Sequence, residues 1–124
     1  DDELIADARA LRPGATWLVQ DLSELDLPSV GVTEPFDVIL CAGNVVTFVA
    51  PSTRIEVLRR MGLHLAARGR LVVGFGLDRD YPLADFLADA AVAGLAVHSL
   101  HSTWELHPST DDDDFVVAIL GRAA

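Results

Sequence analysis

The run Phe36-Asp-Val-Ile-Leu-Cys-Ala42 restricts the fold more than any other stretch of the chain. It is apolar except for Asp37, follows the turn-forming Val32-Thr-Glu-Pro35, and stops at Gly43-Asn44. A run of this length, bounded in this way, suits a strand buried on both faces, as in a parallel sheet. The Gly-Asn pair lets backbone approach a ligand just beyond the strand's carboxyl end, where open α/β sheets place their binding crevices. Ala42, Gly43 and Asn44 are therefore the first candidates for a site.

The other elements fall into place around this strand. Residues 1–12 carry Leu4, Ile5, Ala8 and Leu11 at helical spacing behind the acids Asp1, Asp2 and Glu3, which suit an amino-terminal turn; Pro13-Gly14 ends the helix. Residues 16–20 predict a strand closing at Asp21-Leu22, and residues 23–35 an irregular connection. Thr53-Arg-Ile-Glu56 has capping-box spacing, with Pro51 just ahead, and starts a helix expected to reach about Ala67. Leu71-Val-Val-Gly-Phe75 is a second short apolar strand, which completes a strand–helix–strand unit long enough for a parallel crossover. Pro82 opens another helix with Phe86, Leu87 and Ala90 on its apolar face and Gly94 as its stop. Residues 95–106 and 115–120 predict two strands whose polar connection, carrying Asp111 to Asp114, implies an antiparallel pair.

Length and composition fit one domain, residues 1–124, with 51% hydrophobic and 23% charged residues. No apolar run approaches the roughly 20 residues of a membrane span, and no charged-then-apolar leader opens the sequence. One cysteine makes no internal disulfide, and together these features set the expectation of a reducing cytoplasm. A formal charge of −10 repels phosphate backbones and anionic membranes, so neither nucleic acid nor membrane is an expected partner. Arg54, Arg59, Arg60, Arg68 and Arg70 gather around one helix and its exit, a pattern expected of a solvated helix face and a helix carboxyl end.

The order of parts resembles the carboxyl-terminal two-thirds of a class I S-adenosylmethionine-dependent methyltransferase. The resemblance runs through Glu3-Leu-Ile-Ala-Asp-Ala-Arg9, similar to the helix after that family's second strand. It continues through Gln20-Asp21-Leu22 at the close of the third strand and Phe36-Asp-Val-Ile-Leu-Cys-Ala-Gly-Asn44 as the fourth. Leu65-Ala-Ala-Arg-Gly-Arg-Leu-Val-Val73 resembles the passage into the fifth, and Trp104-Glu-Leu-His-Pro108 with Phe115-Val-Val-Ala-Ile-Leu120 the closing antiparallel pair. The implied fold is a Rossmann-like α/β sheet lacking its first two strands, with three parallel-type strands and their helices followed by an antiparallel pair. In the family's order, 3-2-1-4-5-7-6, the absent strands would lie beside residues 36–42. The resemblance thus implies an open apolar edge there, and with it displacement of residues 1–35 or pairing with another copy, a homo-oligomer through exposed sheet edges.

The resemblance also implies the ligand, S-adenosyl-L-methionine. Asp21 would accept from the adenine amino group, the Leu22 N–H would meet a ring nitrogen, and Ala42, Gly43 and Asn44 would line the methionine end. The family's glycine-rich loop and ribose-binding acid have no counterpart in this sequence, so the chain alone is expected to be inactive. The acceptor expected from charge is a small molecule, and positioning rather than a named catalytic residue would assist transfer. Each site residue also has a local role open to it: Asp21 can bond nearby backbone, and Gly43-Asn44 can simply form a turn.

Other chemistry-bearing residues carry less. Cys41 lies in the apolar run, where a thiol behaves as a small hydrophobe. His98 and His101 are three apart on a strand and point to opposite faces, so with His107 they make no expected metal set. Asp111 to Asp114 lack calcium-loop spacing. Gly74-Phe-Gly76 opens a dinucleotide fingerprint, but Arg79 stands where its third glycine belongs. Trp104 is expected to be a half-buried strand residue. Two rival classes follow: a nicotinamide-dependent oxidoreductase, which requires a continued parallel sheet, and a non-catalytic self-assembling α/β module.

Overall fold

A computed structural model describes residues 1–123 of the 124-residue chain. Its centre is strand β2 (Leu65–Gly76), which pairs in parallel with β1 (Phe36–Cys41) and antiparallel with β4 (Phe115–Arg122). Strand β3 (Leu95–His101) pairs antiparallel with β4, giving the sheet order β1-β2-β4-β3. That is the 4-5-7-6 half of the implied order.

Helices α3 (Arg54–Leu63) and α4 (Leu83–Val92) cover one face of this sheet. Alternation along β2 sends Leu71, Val73 and Phe75 into that face, and all three are fully buried, as are their β4 counterparts Leu120, Ala118 and Val116. Val57, Leu58 and Met61 from α3 and Phe86 and Ala90 from α4 complete the core. Phe75, Tyr81 and Phe86 form an aromatic triangle with ring centroids 5.1–5.7 Å apart, a spacing at which edge and offset contacts add to area burial.

The opposite face is exposed along β1, at Val38 and Leu40, and covered over its central strands. The segment between β3 and β4 crosses it and brings the Trp104 ring against Gly74. A Cβ added at Gly74 would sit 2.3 Å from Trp104 Cζ2, so any other residue there would push the ring out of its place. Val117, opposite Gly74 in the ladder, is fully buried as well.

Several sequence expectations are corrected. Residues 16–20 form no strand, so the sheet holds two parallel strands rather than three. No strand stands beside this segment, and its polar groups bond locally instead. Arg9 Nη2 donates to Trp17 O, Trp17 Nε1 donates to Arg12 O, and the Gln20 amide exchanges bonds with Asp26 N and O. Strand β1 is an edge, not a strand buried on both faces: Ile39 and Cys41 turn toward α3, while Val38 and Leu40 are 62% and 63% exposed. Helix α1 (Asp2–Leu11) is capped by Asp1, whose carboxylate accepts from Glu3 N and Leu4 N, yet it buries none of its residues.

Helix α3 stops at Leu63 instead of about Ala67, because Leu65 already pairs with Phe36. The ladder then jumps from Phe36↔Leu65 to Val38↔Arg70. Gly69 lies so close that an added Cβ would meet Phe36 O at 2.7 Å. The capping box does not form either. A 3-10 turn, Pro51–Thr53, leads into α3, the Thr53 hydroxyl donates to Ala50 O, and Glu56 instead accepts from Arg59 and Arg60. The first strand of the closing pair ends at His101, five residues short of expectation, where the chain folds back through a His101↔Pro108 bridge.

Strand β1 presents unpaired backbone along one side and apolar side chains on one face, the combination that templates strand addition. An antiparallel second copy centred on Ile39 would place Val38 opposite Leu40 and Asp37 opposite Cys41, with no like charges facing. Sedimentation velocity is expected to show concentration-dependent dimerisation, weakened about tenfold or more in the Val38→Lys/Leu40→Lys variant. A chain that stays monomeric at hundreds of micromolar (order of magnitude) contradicts edge pairing.

Candidate functional site

Parallel β1 and β2 both end on the same side of the sheet, and the chain turns sharply there. Gly43 (φ +71) and Asn44 (φ +61) occupy the left-handed region in succession. Glycine enters that region freely, and asparagine does so more readily than most side chains. The turn leads into a short helix, α2 (Val45–Phe48). The Asn44 side chain faces across the crevice rather than into it: its Oδ1 accepts from Gly76 N at 2.7 Å, tying the end of β1 to the end of β2.

Beside this turn, on the α3 side of β1, lies a slot of about 370 Å³. Leu22, Ile39, Cys41, Ala42, Val45 and Met61 line it, so the structure brings the predicted Leu22 and Ala42 to one surface. Leu22 arrives there because residues 22–27 pack along α3: Arg60 Nη1 donates to Leu25 O, and Leu27 N donates to His64 Nε2. Among the described residues no backbone acceptor engages the Leu22 N–H. Asp21 caps the 3-10 turn Leu22–Glu24, its carboxylate accepting from Ser23 Oγ at 2.7 Å and Ser23 N at 2.9 Å. Those two bonds hold its carboxyl below the usual range. The carboxylate thus takes the local role that the sequence left open. Gly43 has open space beside its Cα.

A second hollow, of about 270 Å³, opens at the other end of β1 between residues 25–35 and the end of α3. It lies at the amino ends of the strands. Its His64 and Arg60 are already engaged with Leu27 N, Arg60 O, Glu56 and Leu25 O. The slot at the carboxyl end is the stronger candidate, since ligands of open sheets bind there.

Burial, opposed only in part by a backbone hydrogen bond from Val46, pushes the Cys41 thiol up to about 11 from its ordinary 9.0. The side chain is packed, not reactive. His101 is occupied too, with Nδ1 against Leu106 O and Nε2 against Ser99 Oγ. Arg54 corrects the sequence reading: it is not part of the solvated arginine face but is buried, 8% exposed, over the ring of Tyr81. Nothing in the sequence singles it out except its place on the helix that follows the β1 turn.

A sheet in the order β1-β2-β4-β3, parallel and then antiparallel, with its crevice beside the β1 turn, has the fold of the carboxyl-terminal part of a class I S-adenosylmethionine-dependent methyltransferase. A nicotinamide oxidoreductase would continue the parallel sheet where β4 reverses it. Among solved structures, the chain is similar to a TehB-like SAM-dependent methyltransferase from Corynebacterium glutamicum, with TM-score 0.89 and 36% identity over 98% of this chain and 64% of that one. It also resembles an S-adenosylmethionine-dependent methyltransferase from Clostridium acetobutylicum (TM-score 0.85, 10% identity, 100% and 73% covered). CcbJ methyltransferase from Streptomyces caelestis is a further likeness (TM-score 0.84, 14% identity, 98% and 71% covered). The chain spans less than two-thirds of the Corynebacterium protein's length. No protein-family model and no curated protein sequence matches it.

Two stability measurements probe this turn. Asn44→Ala strands the Gly76 N–H and is expected to lower unfolding free energy by about 1–3 kcal/mol in urea titrations. For Cys41, the unfolded thiol ionises near 9.0 and the folded one near 11, so its contribution is complete below pH 9 and is lost as pH rises toward 11. The wild-type chain should lose about 2–3 kcal/mol more than Cys41→Ala across that window. Parallel pH profiles for the two proteins would show that the thiol is not sealed.

Proposed function

We propose that the chain is part of the catalytic domain of an S-adenosylmethionine-dependent methyltransferase acting on a small molecule. The observation that carries this reading is the meeting of Leu22 with Ala42 and Val45 around one apolar slot at the carboxyl end of β1. The slot suits a flat heteroaromatic ring. Its walls are aliphatic, and the Leu22 N–H is a free backbone donor at its edge. Leu22 would meet a ring nitrogen of the adenine, and Asp21 could take the exocyclic amine with whatever acceptor capacity Ser23 leaves. Ala42, Gly43 and Asn44 would form the wall beside the methionine end, where the left-handed turn brings backbone rather than side chains to the surface.

When bound, S-adenosylmethionine supplies an electrophilic methyl group on a sulfonium. The contribution of this chain is orientation and exclusion of water. The Asn44–Gly76 bond fixes the spacing of the two strand ends, and the aliphatic slot keeps the nucleoside side dry. Holding two reactants in line is worth several kcal/mol in favourable cases, so transfer needs no dedicated base in this half of the domain. A single domain, an intracellular setting and a small acceptor that avoids a surface of net charge −10 complete the proposal.

S-Adenosylhomocysteine at millimolar concentration (order of magnitude) is expected to shift the ¹⁵N–¹H amide resonances of Leu22, Gly43 and Val45, while those of residues 31–34 stay in place. Calorimetry of the same chain at micromolar concentration is expected to be silent, because much of the affinity belongs to the glycine-rich loop implied by the resemblance. Shifts confined to the hollow beside His64, or none at saturating solubility, would overturn the assignment.

A further inference from the structure

Two cation–aromatic contacts cross between the connection after β1 and the connection after β2. Arg54 Cζ lies 4.0 Å from the Tyr81 ring centroid, and Arg79 Cζ lies 5.4 Å from the Phe48 ring centroid. Each connection supplies one cation and one ring. Both pairs stand at the carboxyl ends of the parallel strands, on the side where the Gly43-Asn44 turn lies.

The Arg54 pair is rigid on its aromatic side. Tyr81 is buried, packs against Phe75 and Phe86, and donates its hydroxyl to Asp89 Oδ2 at 2.6 Å. The cation is not satisfied. Arg54 is more than nine-tenths buried, its Nε has no hydrogen-bond partner, and no carboxylate lies within 4.0 Å of its guanidinium among the described residues. Arg59 and Arg60, further along the same helix, share Glu56; Arg9, Arg70 and Arg122 reach backbone carbonyls. A buried guanidinium with an unmet Nε donor is costly, and stacking on a ring leaves its in-plane N–H groups free to bond elsewhere. The orphaned Nε marks this guanidinium, rather than the paired arginines, as the one left for an anion brought from outside.

We propose that Arg54, with Arg79 on the neighbouring connection, receives a carboxylate on the methyl acceptor. The planar fork of a guanidinium matches a carboxylate through two parallel N–H bonds. A doubly charged phosphate fits less well, because the Asp89 carboxylate already stands on the Tyr81 hydroxyl. This inference rests on the methyltransferase reading for the word acceptor, but the anion site itself can be tested without the methyl donor.

The test is a titration of the ¹⁵N-labelled chain with benzoate and, separately, with benzamide, following the arginine Nε–Hε signals. Benzoate is expected to move the Arg54 signal, and benzamide to leave it unmoved. Arg59, exposed and paired with Glu56, serves as the internal control. Arg79→Gln should weaken benzoate binding, and Arg54→Lys, which keeps the charge but loses the fork, should weaken it about tenfold. Equal responses to acid and amide overturn the proposal. So does an Arg59 response as large as that of Arg54, or no response at tens of millimolar benzoate (order of magnitude). S-Adenosylhomocysteine shifts at Leu22 are read from a separate sample, so either assignment can fail while the other stands.

Discussion

Strand β2 is hydrogen-bonded on both sides, and one of its faces is sealed by two helices. From this the rest of the structure follows. Leu71, Val73 and Phe75 stand in the layer between sheet and helices with β4 residues beside them, and each is wholly removed from water. At about 25 cal/mol per Å² of apolar surface, burial on this scale is the dominant favourable contribution to folding. The parallel neighbour β1 brings the Gly43-Asn44 turn to the end of β2, and the Asn44–Gly76 hydrogen bond sets the distance between them. The crevice is thus a by-product of packing. Two strand ends are held together by a core that lies below them.

The same arrangement explains what could be learned from the amino-acid order. The closing antiparallel pair, the crossover helix and the helix opened by Pro82 were legible because each rests on local periodicity and a nearby breaker. Phe86 and Ala90, four apart, point into the core as that spacing requires. What failed depended on distant partners. Residues 16–20 have the composition of a strand, but a strand exists only where a ladder partner stands, and Gln20 found Asp26 instead. Phe36 to Ala42 looked like a strand buried on both faces because its composition is that of one. Only topology decides whether both faces are covered.

The site shows the same division. The turn at Gly43 and Asn44 could be located from the end of an apolar run followed by residues tolerant of positive φ, and of the three candidates there Ala42 lines the slot. Leu22 could be placed beside Ala42 only through the family resemblance, since the turn that carries it reaches the slot by packing on α3. The role of the Asn44 side chain as a clamp was hidden, because it depends on Gly76, 32 positions later. Arg54 was hidden for a different reason. One arginine among several on a helix carries no mark of burial, and its environment is made by Tyr81 from the next connection.

The contact between Trp104 and Gly74 restricts how this sequence can drift. Because the indole occupies the volume that any β-carbon at position 74 would need, the two sites are not free to vary independently. A lineage that abandons glycine there must displace or surrender the large ring, and one that shrinks the ring uncovers Gly74. Between related chains, these two columns should change as a pair or not at all.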